Sequence, residues 1–485
     1  SHQDNPQNLP PRERLIQGIL AHAKSRGMQC AMDAILTEFP PEFAPLLPDT
    51  EKVQQLGAMS VVPGPKTSVD DPAVSDLATA VLQTTVNTYP DVDYVLLGMP
   101  EFRQWAGECE RAWQTLDRKY HLEEKVKLAD VLAAAGRRTG YPGGAERAMQ
   151  EAKGDIVLLY FYDRLLTDLR ALEGTSRPGV KIIINSAAEE LFPILPRVLP
   201  PGSETLNFVD YTPTRILRRR EVLAQIPARD LPTSLIYTLH DDNVGPLPQL
   251  ATGSLHEITQ DIRLHGWTGL STRYWLIGDH DPCVSYLART AWDAATTPES
   301  VYRDQIRATC GEACVDDLLT VFREVEQATV QLEWHGLGFG FPVPGMITKH
   351  WTPETLPAEL ASVRGNYERA LAAARQTRAK SVPRGRPFVD YWIGRLEFGI
   401  GYFDAVAAVR LAARAEADGK RDESCQHAEA AVQHVRTAVE AYARVAGDQS
   451  DRGAIAILAE YVYRPLVEKV EQLRNRERWK GNAVP

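Results

Sequence analysis

Residues 94–97, Tyr-Val-Leu-Leu, form an apolar run without alternation, and Gly98 and Pro100 end it. Such runs suit parallel strands covered on both faces, because the helices that return between them pack on each side. One strand of this kind therefore commits the chain to crossover helices and further parallel partners. The segments after strand C-termini build the functional face of parallel α/β proteins, so Glu101, just past the break, is a candidate for chemistry. Its structural alternative is an acidic residue in the first turn of a helix starting near Phe102.

The neighbouring sequence supplies the partners. Residues 11–27 space their apolar positions as an amphipathic helix that Gly27 can cap. Strand-like runs follow at 28–35, 57–62, 93–97, 180–185, 205–209, 234–239 and 269–274, with a helix at 72–88 and long helical segments inserted over 102–178. The expectation is a (β/α)8 TIM-type barrel over 1–281. Seven strands leave it one short, and residues 1–10 read as loop, so the first strand is expected upstream, or the sheet is completed differently. From 282 to 485 no strand pattern survives. Segments 283–332, 354–379, 388–418, 421–446 and 451–475 read as helices, which gives an all-α C-terminal domain with surfaces for self-association.

Composition narrows the function classes. The net charge of -10 argues against nucleic acid as a partner, since phosphate binding needs concentrated basic surface. No stretch reaches the ~20 apolar residues of a membrane span. Neither Gly-x-Ser-x-Gly nor a phosphate-binding Gly-rich loop ending in Lys-Ser/Thr occurs, and no cofactor is expected. Cys310 and Cys314 are the one close cysteine pair, open as a local disulfide or two thiols, and no His follows them at zinc-ligand spacing. Removal of an upstream signal would imply a periplasmic or extracellular location.

Carboxylates recur after the strand-like runs: Asp33, Glu101, Glu189 and Glu190 beyond Asn185, Asp210 before Tyr211, and the cluster His240-Asp241-Asp242-Asn243. Arg273, Tyr274 and Trp275 end the last run. Paired carboxylates across a cleft cleave glycosidic bonds: one protonates the leaving oxygen, and the other activates water or stabilises the oxocarbenium-like centre. Aromatic faces stack on sugar C–H faces, for which Trp105, Trp113, Tyr211, Tyr274, Trp275, Trp334 and Trp351 are available, although such residues are as often core. The alternative readings are solvated turns or helix caps for the paired aspartates, and a metal site at His240 that lacks a partner His.

The layout of Lys24-Ser-Arg-Gly-Met28, Tyr89-Pro-Asp-Val-Asp-Tyr94, Pro100-Glu101 and Gly266-Trp-Thr-Gly-Leu270, leading to Ala291-Trp-Asp293 and a helical C-terminal part, resembles the barrel glycoside hydrolases of the α-glucuronidase and β-N-acetylhexosaminidase kind. The resemblance implies that Glu101 is the general acid. The hexosaminidases set an Asp before that Glu to orient the acetamido group; Pro100 stands there, so this role would pass to Asp210, Asp241 or Asp242. An α-glucuronidase-like enzyme would use one of those aspartates to activate water. The expected function is an exo-acting glycoside hydrolase removing a terminal N-acetylhexosamine or uronic acid. Glu101, Asp242 and Asp241 would be catalytic, and Asp210, Tyr211, Asn185, His240, Arg273, Tyr274 and Trp275 would bind substrate. Arg273 suits a uronate because a guanidinium pairs bidentately with a carboxylate. The rival expectation is a non-catalytic carbohydrate-binding or scaffolding protein on a degenerate barrel.

Overall fold

The computed structural model describes residues 9–55, 58–100, 103–138, 143–239, 245–273, 278–336, 338–340 and 342–480. Its strands are β1 (Ala31–Asp33), β2 (Thr50–Gln55), β3 (Ala58–Pro63), β4 (Tyr94–Gly98), β5 (Lys181–Asn185), β6 (Glu204–Phe208), β7 (Thr233–Thr238) and β8 (Gly269–Arg273). Six of them form one sheet in the order β1-β4-β5-β6-β7-β8. Parallel pairing sets Asp33 opposite Leu96 and Gly98 opposite Asn185, and continues from β5 through β6 to β7. At one end of β7 the Thr268 N–H donates to Thr233 O, and at the other the Leu239 N–H donates to Arg273 O, so β8 runs the same way.

The structure alters the expected barrel at 57–62. That run becomes β3, which pairs antiparallel with β2 in a separate two-stranded sheet. Val53 is the one apolar residue in Thr-Glu-Lys-Val-Gln-Gln, so β2 carries little hydrophobic pattern, and backbone hydrogen bonds hold it to β3. The parallel sheet thus has six strands rather than seven, and among the described residues no strand bridges β1 and β8. What stands is a parallel α/β sheet followed by a long helical part.

The chain divides into two compact units. The first comprises Ser1–Val209, Glu221–Ile236 and Ile262–Ser271; the second comprises Asp210–Arg220, Tyr237–Asp261 and Thr272–Pro485. In the first, Val95, Leu97, Ile182 and Ile184 are buried in the sheet. Helix Pro72–Thr88 begins where the Asp71 side chain accepts from the Ala73 N–H with Pro72 at the first position, and it buries Val74, Ala78, Leu82 and Val86. Between β4 and β5, helix Gly144–Asp163 packs on Cys109–Tyr120 and Leu128–Ala135 and buries its whole Ile156–Tyr162 stretch.

In the second unit, helix Arg386–Ala417 packs along Arg421–Ala443, and Val315–His335 packs on Ala358–Lys380. The segment expected as a single helix over 283–332 is three: Asp281–Thr290, Pro298–Cys310 and Val315–His335. A capping box between Thr297 and Ser300, with Pro298 at the first turn, starts the second, and Gly311 at φ +97 ends it. Cys310 and Cys314 are free thiols, both buried.

Candidate active site

In the first unit three strand ends carry the polar groups. Beyond the last paired residues, the Ala34 N–H donates to Leu96 O and the Met99 N–H to Asn185 O, so the ends of β1, β4 and β5 stay in register. Asp33 closes β1. Its side chain keeps contact with solvent, yet the protein around it withdraws enough water to raise its pKa from the ordinary aspartate value, with the Ala34 N–H pulling the other way. Asn185 closes β5, and its Oδ1 accepts from the Ser186 hydroxyl at 2.8 Å. Ser186 sits at φ +61, an uncommon conformation for a residue with a side chain, held because its N–H donates to Leu206 O.

Helix Gly144–Asp163 braces the end of β4. The buried Tyr162 hydroxyl donates to Gly98 O at 2.7 Å, and its pKa is raised by burial and by the charges of Asp155 and Asp33. Asp155, fully buried, accepts from Arg103 Nε at 3.0 Å and from the Ala188 N–H at 2.8 Å. Burial pushes the Asp155 carboxyl up, while Arg103 and the Ala188 N–H oppose it. Gly154 leaves room for this pair, since a Cβ there would lie 2.5 Å from Arg103 Cβ. Sequence reasoning passed over Asp155, Arg103 and Tyr162. The signal was there: a carboxylate opening a run of six apolar helical residues is expensive to bury unless paired.

In the second unit the loop after β6 holds Asp210, Tyr211 and Thr212. Asp210 Oδ1 accepts from the Tyr211 N–H at 2.7 Å and pairs with Arg215 Nη2 at 2.8 Å, and the Arg215 guanidinium lies 5.2 Å over the Tyr211 ring. Tyr211 O accepts from both the N–H and the hydroxyl of Thr238 at the end of β7. The Thr212 hydroxyl donates to Glu333 Oε2 at 2.7 Å, which ties this loop to the end of helix Val315–His335. The next residue, Trp334, is 43% exposed with the Arg218 guanidinium 5.0 Å over its ring. Arg273, at the end of β8, is exposed.

The structure brings Asp210 and Tyr211 together and places Asn185 and Arg273 at strand ends. Glu101, His240, Asp241, Asp242, Tyr274 and Trp275 lie outside the described residues. Of the other aromatics, Trp113 is core, Trp105 donates to Thr67 O, and Trp351 donates to Glu416 with Lys469 over its ring. Among the described residues no group of three or more His, Cys, Asp or Glu could hold a metal ion, and no helix is long and apolar enough to cross a membrane.

No protein-family model matches the chain, and no curated protein does. Solved structures do. A GH138 enzyme targeting pectin rhamnogalacturonan II aligns with 97% of this chain and 73% of its own at 12% identity and a TM-score of 0.52. An O-GlcNAc hydrolase variant of Thermobaculum terrenum aligns with 98% of this chain and 86% of its own at 10% identity and a TM-score of 0.39, too distant to carry an argument. At 12% identity the likeness to the GH138 enzyme concerns architecture: the parallel sheet and helical part of this chain share the fold of a glycoside hydrolase.

Proposed function

We propose that the protein is a glycoside hydrolase, exo-acting, that removes a terminal N-acetylhexosamine or uronic acid by carboxylate chemistry. One observation carries the reading: on a fold shared with a glycoside hydrolase, polar groups suited to sugar hydroxyls and proton transfer stand at strand ends, Asp33 and Asn185 closing β1 and β5 in the first unit and Asp210 with Tyr211 following β6 in the second. Glu101 is the general acid in this scheme. Asp242 or Asp241 is the base or the group that orients an acetamido substituent. Asp210, held by Arg215, is a supporting contact, and His240, Tyr274 and Trp275 complete the sugar site. Trp334 offers a ring face beside the β6 loop for a neighbouring sugar.

The test is a panel of chromogenic N-acetylhexosaminides and uronides, assayed with the wild-type chain and with Glu101→Gln and Asp242→Asn. Hydrolysis of one class, reduced about 100-fold or more in each variant with the fold intact, is the expected result. Retention of most activity by Glu101→Gln removes that residue from its role. Sugar binding by calorimetry without turnover of any glycoside would establish the non-catalytic carbohydrate-binding reading instead.

A further inference from the structure

We propose that Arg395, buried in helix Arg386–Ala417, is a positioning residue that pins the chain just downstream of both β7 and β8. Its guanidinium and the Asp279 carboxylate are each 0% exposed. Nε donates to Asp279 Oδ1 at 3.0 Å and Nη2 to Asp279 Oδ2 at 2.7 Å, a two-pronged pairing. The same Nη2 also donates to Pro246 O at 2.7 Å. Pro246 follows residues 240–244, which hold His240, Asp241 and Asp242; Asp279 follows residues 274–277, which hold Tyr274 and Trp275. One side chain therefore fixes the downstream anchor of each segment to which the proposed chemistry is assigned.

The surroundings leave the anchors little freedom. Gly245, next to Pro246, adopts φ +71, and a Cβ there would fall 1.6 Å from Gly340 O. Gly278, next to Asp279, has no room either, because a Cβ would come 2.3 Å from Tyr391 Cζ. Tyr391 and Tyr442 both donate to Asp451 Oδ1, and the Tyr442 ring faces the guanidinium at 4.3 Å. The clamp is thus braced by three helices of the second unit.

Stability alone is a poor account of this pair. Desolvating two charges costs about as much as their attraction returns, and apolar replacements of buried pairs are often neutral or stabilising. Here Nη1 is also buried without a hydrogen-bond partner among the described residues, a further cost. What an apolar side chain could not do is hold two chain segments at fixed distances from one point.

The catalytic part of this inference rests on the glycoside hydrolase reading; the positional part does not. The experiment compares the full-length wild-type chain with Arg395→Lys and Asp279→Asn by hydrogen-exchange mass spectrometry and by kinetics on whichever glycoside the wild type cleaves. Arg395→Lys should speed exchange by about tenfold or more in peptides spanning 238–248 and 272–282, with helix Pro298–Cys310 unchanged. Asp279→Asn keeps the Pro246 bond and should loosen 272–282 alone, so it decides the matter if Arg395→Lys does not fold. On a cleaved glycoside, kcat should fall about tenfold per folded molecule in Arg395→Lys, with KM nearly unchanged. Wild-type exchange in both segments, or a rate loss matching only the unfolded fraction, overturns the proposal. If the wild type cleaves no glycoside, the functional reading fails on its own and exchange alone judges the clamp.

Discussion

At Asp33 the protein holds a carboxylate where its charge is disfavoured. The folded-state pKa lies above the unfolded value, so between the two the folded chain binds the extra proton, and the favourable contribution of the protonated form is lost as pH rises through the folded pKa. Above that point the anion is a constant handicap to folding. Asp33→Asn should therefore raise Tm at pH 7, and the gain should shrink towards zero as pH falls below about 4. Turnover should move the opposite way if Asp33 helps the proposed reaction, because a group kept in an unfavourable state is a mark of function rather than of stability. Thermal melts at pH 7 and pH 3.5 check the first claim; a lower Tm for the variant at pH 7 contradicts it. Asp210 is already paired with Arg215, which suits a fixed contact.

Among the elements, the close approach of helices Arg386–Ala417 and Arg421–Ala443 depends on small residues. A Cβ on Gly394 would meet Val445 Cγ2 at 2.5 Å and Ala441 O at 2.9 Å. Ala is favoured over Gly in a helix interior by about 1 kcal/mol, but forcing extra volume into a packed interface costs about 1–3 kcal/mol, and a backbone oxygen cannot step aside as a side chain can. Gly394→Ala should thus lower Tm. Gly453, in helix Gln449–Leu458, has nothing within 4 Å of its Cβ position, so Gly453→Ala should raise Tm, and equal shifts would refute the steric account. Elements with a strong apolar pattern were legible: β4 to β8 lie within a residue or so of their apolar runs, and helices Arg386–Ala417 and Arg421–Ala443 lie close to theirs. The β2–β3 hairpin was not, because its pairing lies in backbone groups that every residue carries. The breaks in 283–332 were legible in principle from Thr297-Pro298 and Gly311. Apolar runs also put Asn185 and Arg273 at strand ends and Asp210 and Tyr211 just past one, whereas the Arg103–Asp155 and Arg395–Asp279 pairs join residues far apart in sequence, and no local pattern announces which charge will meet which.

For the molecule as a whole, acid stability turns on two buried imidazoles. Burial pulls the pKa of His280 and of His350 down to about 4, from near 6.5 in an unfolded chain. At His280, Asp279 opposes the shift and Arg395 adds to it; at His350, the hydrogen bond with Phe339 O opposes it while Lys349 and Arg410 add to it. Both rings are neutral in the folded protein at neutral pH, and between pH 6.5 and 4 the unfolded chain binds the protons that the folded chain refuses. Stability present above pH 6.5 is therefore lost as pH falls, by roughly 3 kcal/mol for each ring once pH nears 4. The raised carboxyls of Asp33, Asp155 and Glu326 act in the other direction, since protonation relieves them in the folded state as pH falls through their raised pKa values. Across pH 7 to 4.5 the histidines and the raised carboxyls therefore pull stability in opposite directions, and removing one ring isolates its share. His350→Gln keeps a donor for Phe339 O and removes one of the two titrations. On going from pH 7 to 4.5 its Tm should fall less, or rise more, than the wild type's, whatever its absolute value. An unchanged slope in His350→Gln would mean that this ring takes up its proton in the folded protein as readily as in the unfolded chain.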